Sequence, residues 1–160
     1  MDRAHLTVFV AVMMATGPAA GCLRSSGPAA ATAVRADQAA FVAQFNAHDP
    51  IATNSHVVDE GFVAMVHGAR NVVGKAADLA DGRQLLADPN AHLALSNEVI
   101  DVAASGDWAV DRSTYAITFT DPKTRAPATE VGNMVTGYKR QSDGAWKMRW
   151  QILSDTPRQP

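Results

Sequence analysis

Cysteine is almost absent from this chain: Cys22 is the only one in 160 residues. A fold stapled by disulfides is therefore excluded, as is any cysteine-rich zinc site. Neither sign of charge dominates, with 14 lysines and arginines against 16 aspartates and glutamates. A nucleic-acid-binding surface accordingly has no electrostatic support. Glycine (11) and proline (8) stand at ordinary levels, which removes collagen-like and low-complexity classes. The apolar run Leu6–Thr16 is too short to cross a bilayer as a helix, which takes about 20 residues. The sequence also lacks HExxH, GxSxG, a phosphate-binding glycine loop and a dinucleotide fingerprint, so no cofactor is implied. What is present is 47% hydrophobic residues, enough for one compact domain in a chain too short for two.

The first residues read as an address. A short polar start with one firm positive charge, Met1–His5, leads into Leu6–Thr16, then a Gly17-Pro18 break and Ala19-Ala20-Gly21-Cys22. Small residues before a cysteine suit the cleft of a signal peptidase, and the thiol is a nucleophile for lipid attachment. This resembles a bacterial lipoprotein box, with Ala19 where leucine is usual; an ordinary secretion signal with an incidental Cys22 is the alternative. Residue 23 is leucine and not aspartate, so the resemblance implies a periplasmic domain on the outer membrane, touching the membrane only through its lipid. The expected organisation is a signal peptide over 1–21, a lipidated cysteine and flexible tether over 22–33, and a folded domain over 34–156.

Within 34–156, Val34, Phe41, Val42 and Phe45 fall on one helical stripe that should stop at Asp49-Pro50. Pro50 can open a second short helix over 51–57. Phe62–Val66 reads as a buried strand, and Lys75–Leu86 as a third helix. Four strands follow, over 92–103, 108–120, 129–141 and 146–154, the last two joined by an Asp143-Gly144 hairpin signal. Alternation in the last strand puts Trp146, Met148, Trp150 and Ile152 on one face and Lys147, Arg149 and Gln151 on the other. Helices grouped ahead of a mainly antiparallel sheet define an α+β class.

Three segments, FVAQFNAHD, VVGKAADLAD and GNMVTGYKRQSDGAWKMRWQILSD, resemble the nuclear transport factor 2-like superfamily, and most closely its SnoaL-like, domain-of-unknown-function branch. Ketosteroid isomerase and limonene epoxide hydrolase are enzyme relatives. The resemblance implies a curved sheet wrapped around N-terminal helices, of the cystatin-like kind, with a conical pocket suited to a small hydrophobic molecule. It also implies a homodimer through the outer face of the sheet. Laying the isomerase on this chain puts its oxyanion-hole tyrosine on Phe41, its general-base aspartate on Met65 and its second oxyanion donor near Thr136. Phenylalanine donates no hydrogen bond and methionine takes no proton, so that mechanism is lost. Asp111 and Arg112, as strand neighbours, point to opposite faces and cannot together activate water as the epoxide hydrolase does.

Through the resemblance, the expected pocket is formed by Phe41, Phe45, Met65, Met134, Thr136, Tyr138, Met148 and Trp150. The catalytic candidates are His67, at the mouth of the pocket, and Tyr138 within it. His56, Asp59 and Glu60 have only a superficial metal-site spacing, and no metal is expected. Tyr115 has an ambiguous facing, which a bulge would decide. The expected function is binding of a small apolar ligand or a protein partner without catalysis. An isomerase-, hydrolase- or cyclase-like enzyme acting on a hydrophobic substrate is the competing reading, and a purely structural or assembly role a third; within the pocket, filling by the aromatic rings is the alternative to an open cavity.

Overall fold

The computed structural model describes residues 27–156, so the address, Cys22 and the first part of the tether lie outside the described residues. Helix α1 (Gly27–Asn46) begins seven residues before the expected start. Pro28 is tolerated in a first turn and the alanines after it are the best helix formers, so residues 27–33 extend the helix and do not form a tether. The buried stripe is correspondingly longer, running Ala30, Val34, Gln38 and Phe45. At the far end, the side chain of Asn46 accepts from the Leu93 amide at 2.8 Å and donates to the Leu93 carbonyl at 2.9 Å, fixing the helix to the sheet.

Asp49 caps α2 (Pro50–Asn54), accepting from the amides of Ile51 and Ala52 at 3.1 and 2.9 Å. The expected strand is β1 (Val63–Val66), and it pairs with a two-residue strand, β2 (Val72–Val73), too short to be announced by its sequence. Helix α3 (Lys75–Leu85) follows, then β3 (His92–Val102), β4 (Trp108–Thr120), β5 (Pro127–Arg140) and β6 (Trp146–Asp155). The α+β class and a curved, mainly antiparallel sheet stand as expected; the sheet is unclosed and has six strands, in the order β2-β1-β6-β5-β4-β3. All neighbours are antiparallel except β1 and β6, so the first described strand lies beside the last. None of the described helices is long and apolar enough to cross a membrane.

Helix α1 lies in the concave face, against β3 and reaching β6. The core divides in two. One half gathers Val34, Val57, Phe62, Tyr138, Trp146 and Met148; the other gathers Phe45, Leu86, Leu93, Tyr115 and Met134, and Phe41 packs against both.

The face assignment of β6 holds only as far as Met148. Tyr138 pairs with Met148 but Gly137 pairs with Trp150, leaving Arg149 as an extra residue on β6. Such a bulge reverses the alternation beyond it. Trp150 and Ile152 therefore lie on the convex face, and Gln151 and Leu153 turn inward. Met65 pairs with Ile152 and shares its outward face, while Ala64 and Val66 point inward. On that convex face Val99, Val131 and Ile152 are exposed.

Candidate functional site

Between the concave face of the sheet and helices α1 and α3 lies a cavity of about 450 Å³, within the range that small-molecule sites occupy. Its wall is mostly apolar, with Phe41, Phe45, Leu93, Ile117, Met134 and Leu153 among its residues. Of the eight residues expected in a pocket, Phe41, Phe45 and Met134 line this cavity. Met65 and Trp150 are on the convex face, for the register reasons given above. Thr136, Tyr138 and Met148 do face inward, but into the packed half of the core, where each is at most 1% exposed.

The polar groups on the cavity wall come from elements whose chemistry the sequence reading passed over. Helix α3 presents Asp78, Asp81, Gly82 and Leu85, a spacing that puts all four on one face. Asn54, at the end of α2, donates to Asp78 Oδ2 at 2.7 Å and to the Lys75 carbonyl at 3.0 Å, tying the two helices together. Burial raises the Asp78 carboxyl above its ordinary range, against the pull of the Asn54 hydrogen bond. Arg70 Nη2 meets Asp81 Oδ1 at 3.1 Å at the same wall. Gln151, brought inward by the bulge, lies with its amide nitrogen 3.1 Å from the Met134 sulfur. The helical spacing of Asp78 and Asp81 in KAADLADGRQL was visible, but its direction towards a cavity depends on how α3 docks.

Tyr115 is the phenol on the cavity wall, resolving its facing. Its hydroxyl donates to Glu130 Oε1 at 2.6 Å, and His67 Nε2 lies 2.7 Å from the same oxygen. The cavity wall is thus joined to the solvent-accessible His67 through one carboxylate. The hydrogen bonds from Tyr115 and His67 hold Glu130 below the usual carboxylate range. Glu130 in turn raises the His67 imidazole, and burial, aided by Glu130, raises the Tyr115 phenol. Tyr115 is consequently a hydrogen-bond donor and not a base at neutral pH. His67 itself is not on the cavity wall, because its ring reaches from the end of β1 to β5.

Tyr138 has a different role. Its hydroxyl donates to Gln38 Oε1, and Gln38 Nε2 donates to Asp111 Oδ2 at 2.7 Å, inside the packed half of the core. Ser113 adds a longer contact to the same Asp111 oxygen at 3.3 Å, while Asp111 Oδ1 is buried without a partner among the described residues. Burial, and then the charge of Glu98, push the Asp111 carboxyl up to about 6. Asp111 and Arg112 do point to opposite faces, Asp111 fully buried and Arg112 outward against Asp101 at 2.8 Å. The superficial metal cluster is not assembled: both ring nitrogens of His56 face protein oxygens, Asp37 Oδ1 and Gln44 Oε1, each at 2.7 Å, and Asp59 pairs with Lys75.

No protein-family model matches the chain, and no curated protein matches it by sequence. Solved structures do resemble it. A ketosteroid isomerase-like protein from Erwinia carotovora atroseptica is 20% identical with a TM-score of 0.65, over 81% of this chain and 97% of that one. A nuclear transport factor 2-like protein with a cystatin-like fold from Novosphingobium aromaticivorans is 19% identical with a TM-score of 0.64, over 80% and 82%. A nuclear transport factor 2-like superfamily protein from Salmonella enterica is 10% identical with a TM-score of 0.69, over 82% and 94%. At these identities the likeness is one of fold.

Proposed function

We propose that this domain binds a small, largely apolar molecule in the cavity between α1, α3 and the sheet, without catalysis, and is exported and held at the outer membrane by a lipid on Cys22. The observation that carries the binding reading is the cavity, whose wall is predominantly apolar. A ligand there gains about 25 cal/mol per Å² of apolar surface buried, less the cost of immobilising it. The anchor rests on Leu6–Thr16 and Ala19–Cys22 alone; detergent partitioning of the exported protein that is lost in Cys22→Ser checks it.

Gly82 supplies the test of binding. It lines the cavity in mid-helix, and a Cβ built there meets nothing within 4 Å. Gly82→Leu removes a helix-weakening glycine, worth up to about 1 kcal/mol, while its side chain enters the cavity. A neutral naphthalene fluorophore should bind the wild type saturably and fail to bind Gly82→Leu, with the thermal midpoint kept or raised. Absence of saturable binding, or binding unchanged by Gly82→Leu, would overturn the reading.

One observation favours the enzyme as a second reading: the Tyr115–Glu130–His67 connection gives a proton a route between cavity and solvent. In that reading Tyr115, and not Tyr138, faces the hydrophobic substrate and relays a proton from it, passing its own proton to Glu130 as it accepts one. Turnover lost in Tyr115→Phe with fluorophore binding retained would favour it. A protein partner, in the form of a second copy, is supported by the exposed Val99, Val131 and Ile152 on the convex face.

A further inference from the structure

We propose that Asp78 makes the cavity selective for ligands that carry a protonated amine on an apolar body; the inference rests on the reading that the cavity binds a small molecule. A helix that closes a hydrophobic cavity ordinarily directs apolar residues inward. Helix α3 lines the cavity with Asp78 and Gly82, with the more exposed Asp81 and Leu85 at its rim, and none of its residues is fully buried. The face is therefore not built for core packing.

The two carboxylates differ in their partners. Asp81 is matched by Arg70 at 3.1 Å. Asp78 accepts one hydrogen bond, from Asn54 to Oδ2, and Oδ1 has no donor among the described residues. The nearest lysine in sequence, Lys75, directs its ammonium to Asp59 at 2.7 Å. No ion pair among the described residues involves Asp78. Asn54, a neutral donor, fixes the carboxylate against rotation without neutralising it.

The wall thus combines an apolar floor with an oriented carboxylate that has no paired cation, Lys75 acting on it only at longer range from its pair with Asp59. An ammonium group placed there would supply the missing charge and donate to Oδ1, while the rest of the molecule is buried against Phe41, Leu93 and Met134. A neutral alcohol would gain the burial without the charge pairing. An anion would meet Asp78 and Asp81 with only Arg70 in opposition, and that arginine is already paired.

Three probes of one chain length separate these contributions: octylamine, octan-1-ol and octanoate, titrated by calorimetry at neutral pH and moderate salt. Octylamine should bind the wild type at least tenfold more tightly than octan-1-ol, with octanoate the weakest. In Asp78→Asn the amine's advantage should fall below threefold with octan-1-ol affinity unchanged, because the amide still accepts from Asn54. In Asp81→Asn most of the advantage should remain. Equal binding of amine and alcohol by the wild type would overturn the proposal while leaving the cavity reading intact, and needs no variant to fold. An advantage that survives Asp78→Asn would also overturn it. No binding of octan-1-ol at all would overturn both.

Discussion

The indole of Trp150 occupies the space that a side chain at Gly137 would need. A Cβ on Gly137 would come within 2.1 Å of Trp150 Cε2, across a pair of strands in direct register. The contact lies on the convex face, just beyond the β6 bulge, and it accounts for glycine at a position flanked by two fully buried residues, Thr136 and Tyr138.

Gly137→Ala should therefore destabilise the domain, and Trp150→Ala in the same chain should recover much of that loss. The coupling is expected to be about 1–2 kcal/mol in a denaturant double-mutant cycle, the scale found for residues in contact. Gly132 offers the contrast. A Cβ there meets the backbone oxygen of Ser154 at 2.1 Å as well as the Tyr115 ring, so truncating a side chain should not rescue Gly132→Ala. Independent, additive effects of Gly137→Ala and Trp150→Ala would mean that the two residues do not share this space.

Stability should fall as pH rises through the window set by Asp111. Its carboxyl is raised in the folded chain to about 6, so between the ordinary carboxylate range and that value the folded state binds more protons than the unfolded one. The favourable contribution of the protonated form is complete below the unfolded value and is lost progressively up to about pH 6. A difference of roughly two units corresponds to about 2–3 kcal/mol. Asp111→Asn should remove this slope and raise stability at pH 7 to 8, measured by urea unfolding at a series of pH values. A slope unchanged in Asp111→Asn would assign it to another group.

His67 should titrate above the ordinary histidine value, because Glu130 stabilises its charged form. In Glu130→Gln the imidazole should return towards that ordinary value, read from the ring proton shifts in NMR. Its contribution to stability has the same sign as that of Asp111 but a higher pH window: present below the ordinary histidine value and lost as pH rises through the raised one. Tyr115→Phe should leave the His67 titration displaced, since the carboxylate remains. A His67 curve insensitive to Glu130→Gln would show that the pair does not form in solution.

Element types and much of the connectivity were legible because hydrophobic period and turn chemistry are local. The Asp143-Gly144 turn and Asp49-Pro50 break announced their boundaries, and β4 runs over the expected residues. The pocket was far less legible, and one residue explains much of the loss. Arg149 as a bulge moves Trp150 outward and Gln151 inward, and nothing in WKMRWQ marks it, since a clean alternation reads through. Its determinants are non-local: the empty face of Gly137 and the closeness of Gly61 to the Arg149 guanidinium, 2.5 Å from where a Cβ would stand. Tyr138 faces inward but into the packed core and not the cavity, a distinction that strand parity cannot make. That distinction arises from Gln38 on α1, which fixes the phenol in the packed half. Asp78 was missed because an acidic residue in a first helical turn is ordinary for the helix itself.

The pairing of β1 with β6 has a consequence for how this protein is made. Val63 finds its partner Trp150 about ninety residues further along the chain, so β1 and β2 have only each other as strand partners until the last strand has been synthesised. Closure of so long a loop precedes the reward of the contact, which places folding among the slower, millisecond-to-second cases. The sheet cannot be completed on a chain still emerging. For a polypeptide that is proposed to cross a membrane before it functions, that topology leaves the centre of the sheet unassembled during the interval in which a translocation machinery needs an open chain.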